Sequence, residues 1–304
     1  DLRPTPNPLV PGPARIEINK DNPNNTVTVS GGNLWVDHIT FVNGLLVTED
    51  DNFIAIPAPA PGGGQGFDRS GVIGGHMSHI VGRVAKTWSN NVIVSFSSNE
   101  RQEFPVGSRD NYRPAAMTFK ANNAEASVPD QLVVNMKHVD TPPRGDKGLP
   151  LVDNCGVPVV TYSPFYWDIK TNGTYTQNPF DLEFKAQGWQ DTTDVDSMRI
   201  VRRHGDPSEI DNTWIIQGSC LNYDNALYND GPTLITEGSI GGLREEGAIF
   251  AIGLPKGDLP IERHYKPIWT DNPYKAMTFY ITRAEFFNSN PLQSGDEIGI
   301  FDGN

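Results

Sequence analysis

Apolar residues in this chain recur two apart in short runs that Gly, Pro, Asn and Asp interrupt. That period is the signature of strands with one buried face. The first runs are Arg15–Asn19, Thr26–Ser30, Asn33–Val36, His38–Phe41, Leu45–Thr48 and Asn52–Ile56. Gly31-Gly32 and Asn43-Gly44 mark tight turns between them, Asn-Gly being a strong hairpin signal. One strand comes about every ten residues, which fits a sandwich or a short β-solenoid stack. Strands resume at His79–Ala85, Val92–Phe96, Ala115–Lys120 and Gln131–His138.

Alternation returns at Val157–Tyr162, Phe165–Ile169, Phe180–Phe184, Ser197–Arg202, Thr213–Gln217, Leu234–Ile240 and Ala248–Leu254, so a sandwich is expected there. A single buried face is expected to gather Trp167, Ile169, Leu182, Phe184, Met198, Ile200, Trp214, Ile216, Phe250 and Ile252, with Trp167 and Trp214 as anchors. Met277–Ile281 and Glu297–Phe301 add two strands to the tail. The fold class is therefore all-β: tandem β-sandwich domains with a short β-solenoid-like N-terminal part.

The expected layout has five parts. Residues 1–14 carry five prolines and read as an extended arm, because proline has no N–H for a ladder. An N-terminal β-domain spans 15–139, a Pro/Gly-rich linker 140–150, and a β-sandwich domain 151–254. Residues 255–304 form strands of a β-module that is incomplete or completed by another chain. The last strand, Glu297-Ile298-Gly299-Ile300-Phe301, is the expected assembly strand: without a closing element it either continues in residues not given or pairs with another subunit.

Composition narrows the function. Thirty Gly and 25 Pro suit many short strands and turns. A net charge of −13 argues against nucleic acid as a partner, because phosphate binding needs clustered Lys and Arg. Arg199-Ile200-Val201-Arg202-Arg203 is the one basic cluster and reads as a solvated strand edge. No apolar stretch is long enough for a membrane span, and no signal peptide pattern is present, so Asp1 is expected to open a mature or trimmed chain. Cys155 and Cys220 are the only cysteines, and a disulfide between them is expected if the compartment oxidises.

Candidate chemistry is sparse. Gly62-Gly63-Gly64 lacks the Lys-Ser/Thr ending of a phosphate loop, and 57–75 reads as a surface loop. His76 and His79 offer too few ligands for zinc. Glu49-Asp50-Asp51, Asp191/Asp194/Asp196 and Asp296/Glu297/Asp302 are acidic clusters that resemble hard-cation ligands, with Asp296, Glu297 and Asp302 as the weak Ca²⁺ candidates. Arg144-Gly145-Asp146 matches a tripeptide found in some integrin ligands, and Asn24 and Asn172 head glycosylation sequons. No nucleophile with a partnered base is recognisable, so no enzyme, catalytic residue or cofactor is expected.

The order of motifs is more specific than any one of them. "ITFVNGLLVTEDDNFIAI", "SHIVGRVAKTW" and the corner "FPVGSRDNYRPAAMTF" precede "YWDIK", "LEFKAQGW", "SMRIVRR" and "AIFAIG", and the chain ends in "SGDEIGIFDGN". This series resembles modular β-rich secreted and cell-surface proteins of the Bacteroidota and related phyla. The resemblance implies export, often by the type IX secretion route, and roles in adhesion, matrix or surface filaments. It implies no catalytic residues. The expectation is an extracellular structural or adhesive protein, able to serve as a filament subunit joined by strand addition, with itself, other surface proteins or glycans as partners. The alternative is a carbohydrate-binding module, suggested by six Trp and nine Tyr on a sandwich scaffold.

Overall fold

The computed structural model describes residues 15–49, 52–57, 65–69, 72, 78–89, 101–119, 131–173, 180–189, 194–228, 230–239, 243 and 245–255. They are all-β, with two 3₁₀ turns at Val195–Ser197 and Cys220–Asn222 and no α-helix among them.

The first part is a parallel β-solenoid. Its first rung is β1 (Arg15–Asn19), β2 (Thr26–Val29) and β3 (Leu34–Trp35); its second is β4 (His38–Asn43), β5 (Leu45–Thr48) and β6 (Phe53–Pro57). The third is β7 (Phe67–Asp68), β8 (Ile80–Val81) and β9 (Arg83–Ser89). Each strand pairs in parallel with its counterpart one rung away, giving the orders β1-β4-β7, β2-β5-β8 and β3-β6-β9. Alternation supplies the interior: in β4, Ile39 and Phe41 are fully buried while His38 and Thr40 are only partly covered.

Asn43-Gly44 does not close a hairpin. β4 and β5 lie in different sheets, and Gly44 (φ 101°) turns the chain through a solenoid corner. A left-handed glycine serves a hairpin and a corner alike, so the dipeptide alone does not distinguish them.

The chain continues through β10 (Arg101–Phe104), β11 (Ala115–Phe119), β12 (Gln131–Val139), β13 (Leu151–Val152), β14 (Pro158–Val159), β15 (Thr161–Tyr162) and β16 (Tyr166–Thr171). It ends, among described residues, with β17 (Phe180–Lys185), β18 (Arg199–His204), β19 (Ile215–Ile216), β20 (Ala226–Tyr228), β21 (Gly231–Ser239) and β22 (Ala248–Leu254). One sheet runs β19-β18-β22-β16-β12-β9-β6-β3, so a wall of the solenoid passes directly into the antiparallel strands. The other is β10-β11-β17-β21-β20. The two face each other through aromatic contacts: the Phe184 ring lies 4.4 Å from Trp167 and 5.8 Å from Phe250. Solenoid residues Ile18, Phe41 and Ile56 share this same apolar core.

Residues 140–150 therefore do not link two domains. β12 before them pairs with β16 after them, Met136 opposite Ile169 and His138 opposite Trp167. β10 and β11 likewise join β17 and β21 in the second sheet. The expected tandem division gives way to one sandwich-like pair of sheets grown from a solenoid wall. Strand pairing across long sequence gaps decides this, whereas Pro/Gly content reports only a local turn.

The larger sheet is also buried on both sides. Trp167, Ile169, Ile200 and Phe250 face the main core, whereas Tyr162, Tyr166, Val201, Trp214, Ile249 and Ala251 form a second cluster. Trp214 thus anchors a separate face from Trp167. β22, buried at every position, reads accordingly as an unbroken small-and-apolar run.

Candidate functional site

The Phe104-Pro105-Val106-Gly107 and Tyr112-Arg113-Pro114 segments make the joint between solenoid and sheets. Val106 pairs in parallel with Ile80, lengthening the β2-β5-β8 wall by one step, and Gly107 bridges back to Tyr112. Gly107 is needed for closeness: a Cβ there would lie 2.3 Å from the Asn111 carbonyl oxygen and 2.6 Å from Nε2 of His79. Arg113 bonds the Gln187 carbonyl (3.0 Å) and Asp140 (2.7 Å) while its guanidinium covers Phe165 at 3.9 Å. The Trp167 indole donates to the Arg113 carbonyl at 3.0 Å.

A buried polar cluster lies beside this joint. Lys86, fully enclosed, donates to the Gln65 carbonyl (2.8 Å) and to Oε1 of Gln102 (3.1 Å). Burial, with Arg101 adding to it against the pull of Glu103, lowers its ammonium to about 7. Tyr112 donates to Glu103 and stacks under the Arg69 guanidinium at 3.4 Å. Burial and the Glu103 charge push its phenol well above the ordinary value. Gln65 caps the outer edge of β10 like an added strand: its amide donates to the Arg101 carbonyl and accepts from the Glu103 amide, both at 2.6 Å. The Lys86–Gln102 bond and both Gln65 bonds to β10 join solenoid to sheet, so the cluster braces the joint.

The basic run in β18 is not a solvated edge. Arg199, Arg202 and Arg203 are all buried, because β18 lies between β19 and β22. Arg199 pairs with Asp153 at 2.6 Å, and the two side chains are 5% and 1% exposed. Arg203 donates to the carbonyls of Arg144 and Pro207 and lies over Trp214. Strand alternation alone cannot report that loops cover the second face of a sheet.

That covering loop contains Arg144-Gly145-Asp146. Gly145 has φ 75°, its carbonyl accepts from Trp214 Nε1 (2.8 Å) and the Tyr162 hydroxyl (3.2 Å), and Arg144 and Asp146 are exposed. Nearby, Cys155 and Cys220 form a disulfide with Cα atoms 6.0 Å apart. Asp153 and Asn154 hold its two ends through the Cys155 and Cys220 amides.

Of the other expected residues, His79 is buried against Tyr112 and bonds the Ser108 carbonyl at 2.6 Å. His76, Asp50, Asp51 and Asp191 lie outside the described residues, as do the Ca²⁺ candidates Asp296, Glu297 and Asp302 and the assembly strand Glu297–Phe301. Asp194 accepts from the Asp196 amide at the start of a 3₁₀ turn. Among the described residues no group of His, Cys, Asp or Glu is gathered as a metal site, and no helix is long and apolar enough to cross a membrane.

The surface feature that strand periodicity did not reveal is the first rung of the solenoid, which among the described residues has no strand beyond it. β1, β2 and β3 are each terminal in their sheet order. Of their inward residues, Ile16, Val27, Val29 and Leu34 are only partly buried while Ile18 is buried; Ile39, Leu46 and Ile54 one rung further in are essentially inaccessible. Only stacking contacts distinguish an end rung from an inner one. Exposed Trp35 sits at the same end, edge-on to Phe53 at 5.9 Å.

The fold is thus a three-rung parallel solenoid continuous with two facing antiparallel sheets. Comparison with protein-family models, curated proteins and solved structures returned no match.

Proposed function

We propose that this chain is an exported structural or adhesive protein of the cell surface that assembles by strand addition into an extracellular filament. The observation that carries this reading is the open first rung. Strand edges that have no neighbour among the described residues, over a partly covered apolar interior, are a template for another strand. The Cys155–Cys220 disulfide fits an oxidising compartment outside the cytosol. In this reading the chain carries no catalytic step, and its partners are further copies or other surface proteins.

Electron microscopy and sedimentation of the full chain at rising concentration test it. Filaments or a concentration-dependent series of oligomers are expected; dispersed monomers at high concentration would sink the proposal. Carbohydrate binding is the competing reading, favoured by the 42% exposed Trp35 ring. Its test is a polysaccharide pull-down in which Trp35→Ala abolishes retention, and absence of any retained glycan rejects it.

A further inference from the structure

We infer that Arg144-Gly145-Asp146 is a docking site for a receptor protein that holds a hard divalent cation beside an acidic side chain; this rests on the adhesive half of the reading above. The backbone of the loop is pinned to the outer face of the larger sheet. Five consecutive carbonyls accept hydrogen bonds: Pro143 and Gly145 from the Tyr162 hydroxyl, Arg144 from the Arg203 guanidinium, Asp146 from the Leu149 amide and Lys147 from the Trp214 amide. The Trp214 indole adds a second bond to Gly145 at 2.8 Å. Gly145 is required for the turn: its φ is 75°, and a Cβ would lie 2.9 Å from Ile210 Cβ and 3.1 Å from an Arg203 nitrogen.

The side chains are arranged in the opposite way. Arg144 and Asp146 are exposed, and among the described residues neither has an ion-pair or side-chain hydrogen-bond partner. Buried Tyr162, Arg203 and Trp214 thus fix a turn whose own two charges serve no internal contact. Those charges define the ligand. A carboxylate on a fixed support completes the oxygen shell of Mg²⁺ or Ca²⁺, and a guanidinium takes a carboxylate through two parallel N–H bonds. With one residue between them, the Arg144 and Asp146 Cα atoms stand at most about 7 Å apart, so one cleft of the partner must hold both the cation and the acid. Exposed Ile210 lies against Gly145 and adds an apolar contact next to the two charges.

Immobilised integrin ectodomain, with Mg²⁺ or with EDTA, is the probe for the full chain. Retention in Mg²⁺ and its loss in EDTA are expected. Asp146→Glu keeps the charge but moves the carboxylate by one methylene, and Arg144→Ala removes the guanidinium. Each is expected to weaken retention roughly thirtyfold or more. Both positions are exposed, so neither change disturbs the packing. A chain that is not retained, or is retained equally in EDTA or as Asp146→Glu, overturns the docking site. Sedimentation of the same variants separates this from assembly. Wild-type polymers with lost retention support the site, whereas joint loss of polymers and retention places the loop in self-assembly and overturns the receptor assignment. A wild-type chain that neither polymerises nor is retained overturns both readings.

Discussion

Lys86 Nζ donates to Gln102 Oε1 at 3.1 Å, tying the last solenoid rung to the edge strand of the five-stranded sheet. The ammonium is held at about 7 by burial, against an ordinary 10.5. Between those values the unfolded chain holds a proton that the folded chain lacks. Stability therefore rises with pH across that window, by at most ~1.4 kcal/mol per unit, and this slope vanishes below it, where both states are protonated. Urea melts of wild type and Lys86→Met from pH 6 to 10 check this. Equal pH dependence in the two proteins would show that Lys86 does not titrate as its enclosure requires.

Removing the disulfide through Cys155→Ser with Cys220→Ser releases a constraint on a loop of 65 residues. The expected loss is about 4 kcal/mol from chain entropy alone. Thermal unfolding with and without reductant measures it, and a reductant effect should be absent from the double variant.

The Trp214 indole, the Tyr162 hydroxyl and Arg203 all hold the Gly145 carbonyl. Trp214→Phe removes one donor and is expected to cost roughly 1–3 kcal/mol. It should also speed trypsin cleavage after exposed Arg144. Unchanged cleavage kinetics would mean that the other two donors suffice to hold the turn.

Gly82 has φ 137°, and a Cβ there would lie 1.9 Å from Thr48 Oγ1, which accepts the Arg83 amide. Gly82→Ala is expected to destabilise by roughly 1–3 kcal/mol through backbone strain and the displaced hydroxyl. Gly31, with φ 75° and nothing within 4 Å of its Cβ position, serves as the control. Gly31→Ala retains a backbone cost without the clash, and equal losses at both sites would rule out the steric part.

Asp153 and Arg199 are nearly sealed from solvent. Burial pushes the Asp153 carboxyl up, but Arg199 and the Val157 and Cys155 amides outweigh it and hold it below the usual range. Asp153→Asn leaves a buried guanidinium without its carboxylate and is expected to cost about 3–5 kcal/mol. The wild type loses this contribution as pH falls through the depressed carboxyl value, and the variant does not. Parallel acid-unfolding curves for the two would reject the assignment.

Much of the fold is legible in residues that act locally. Ile39 and Phe41, two apart in β4, announce a strand whatever that strand pairs with, and the Phe104–Gly107 and Tyr112–Pro114 corner marks the joint because tight turns write themselves into Pro and Gly. The burial of Arg199, Arg202 and Arg203 was not legible, because alternation cannot say whether the second face of a sheet is covered. Lys86 was equally hidden: Gln65 and Gln102, which receive its ammonium, are 21 and 16 residues away.

By itself, then, the chain determined most of the strands among the described residues, since each follows from the stereochemistry of a few adjacent residues. Tertiary structure alone decided that Asn43-Gly44 turns a solenoid corner, that β12 pairs with β16 across the supposed linker, and that Trp214 and Trp167 lie on opposite faces. It alone left the first rung, among the described residues, at the end of its three sheets. These are matters of which strand lies beside which, and hydrogen bonds between distant strands carry no local sequence period.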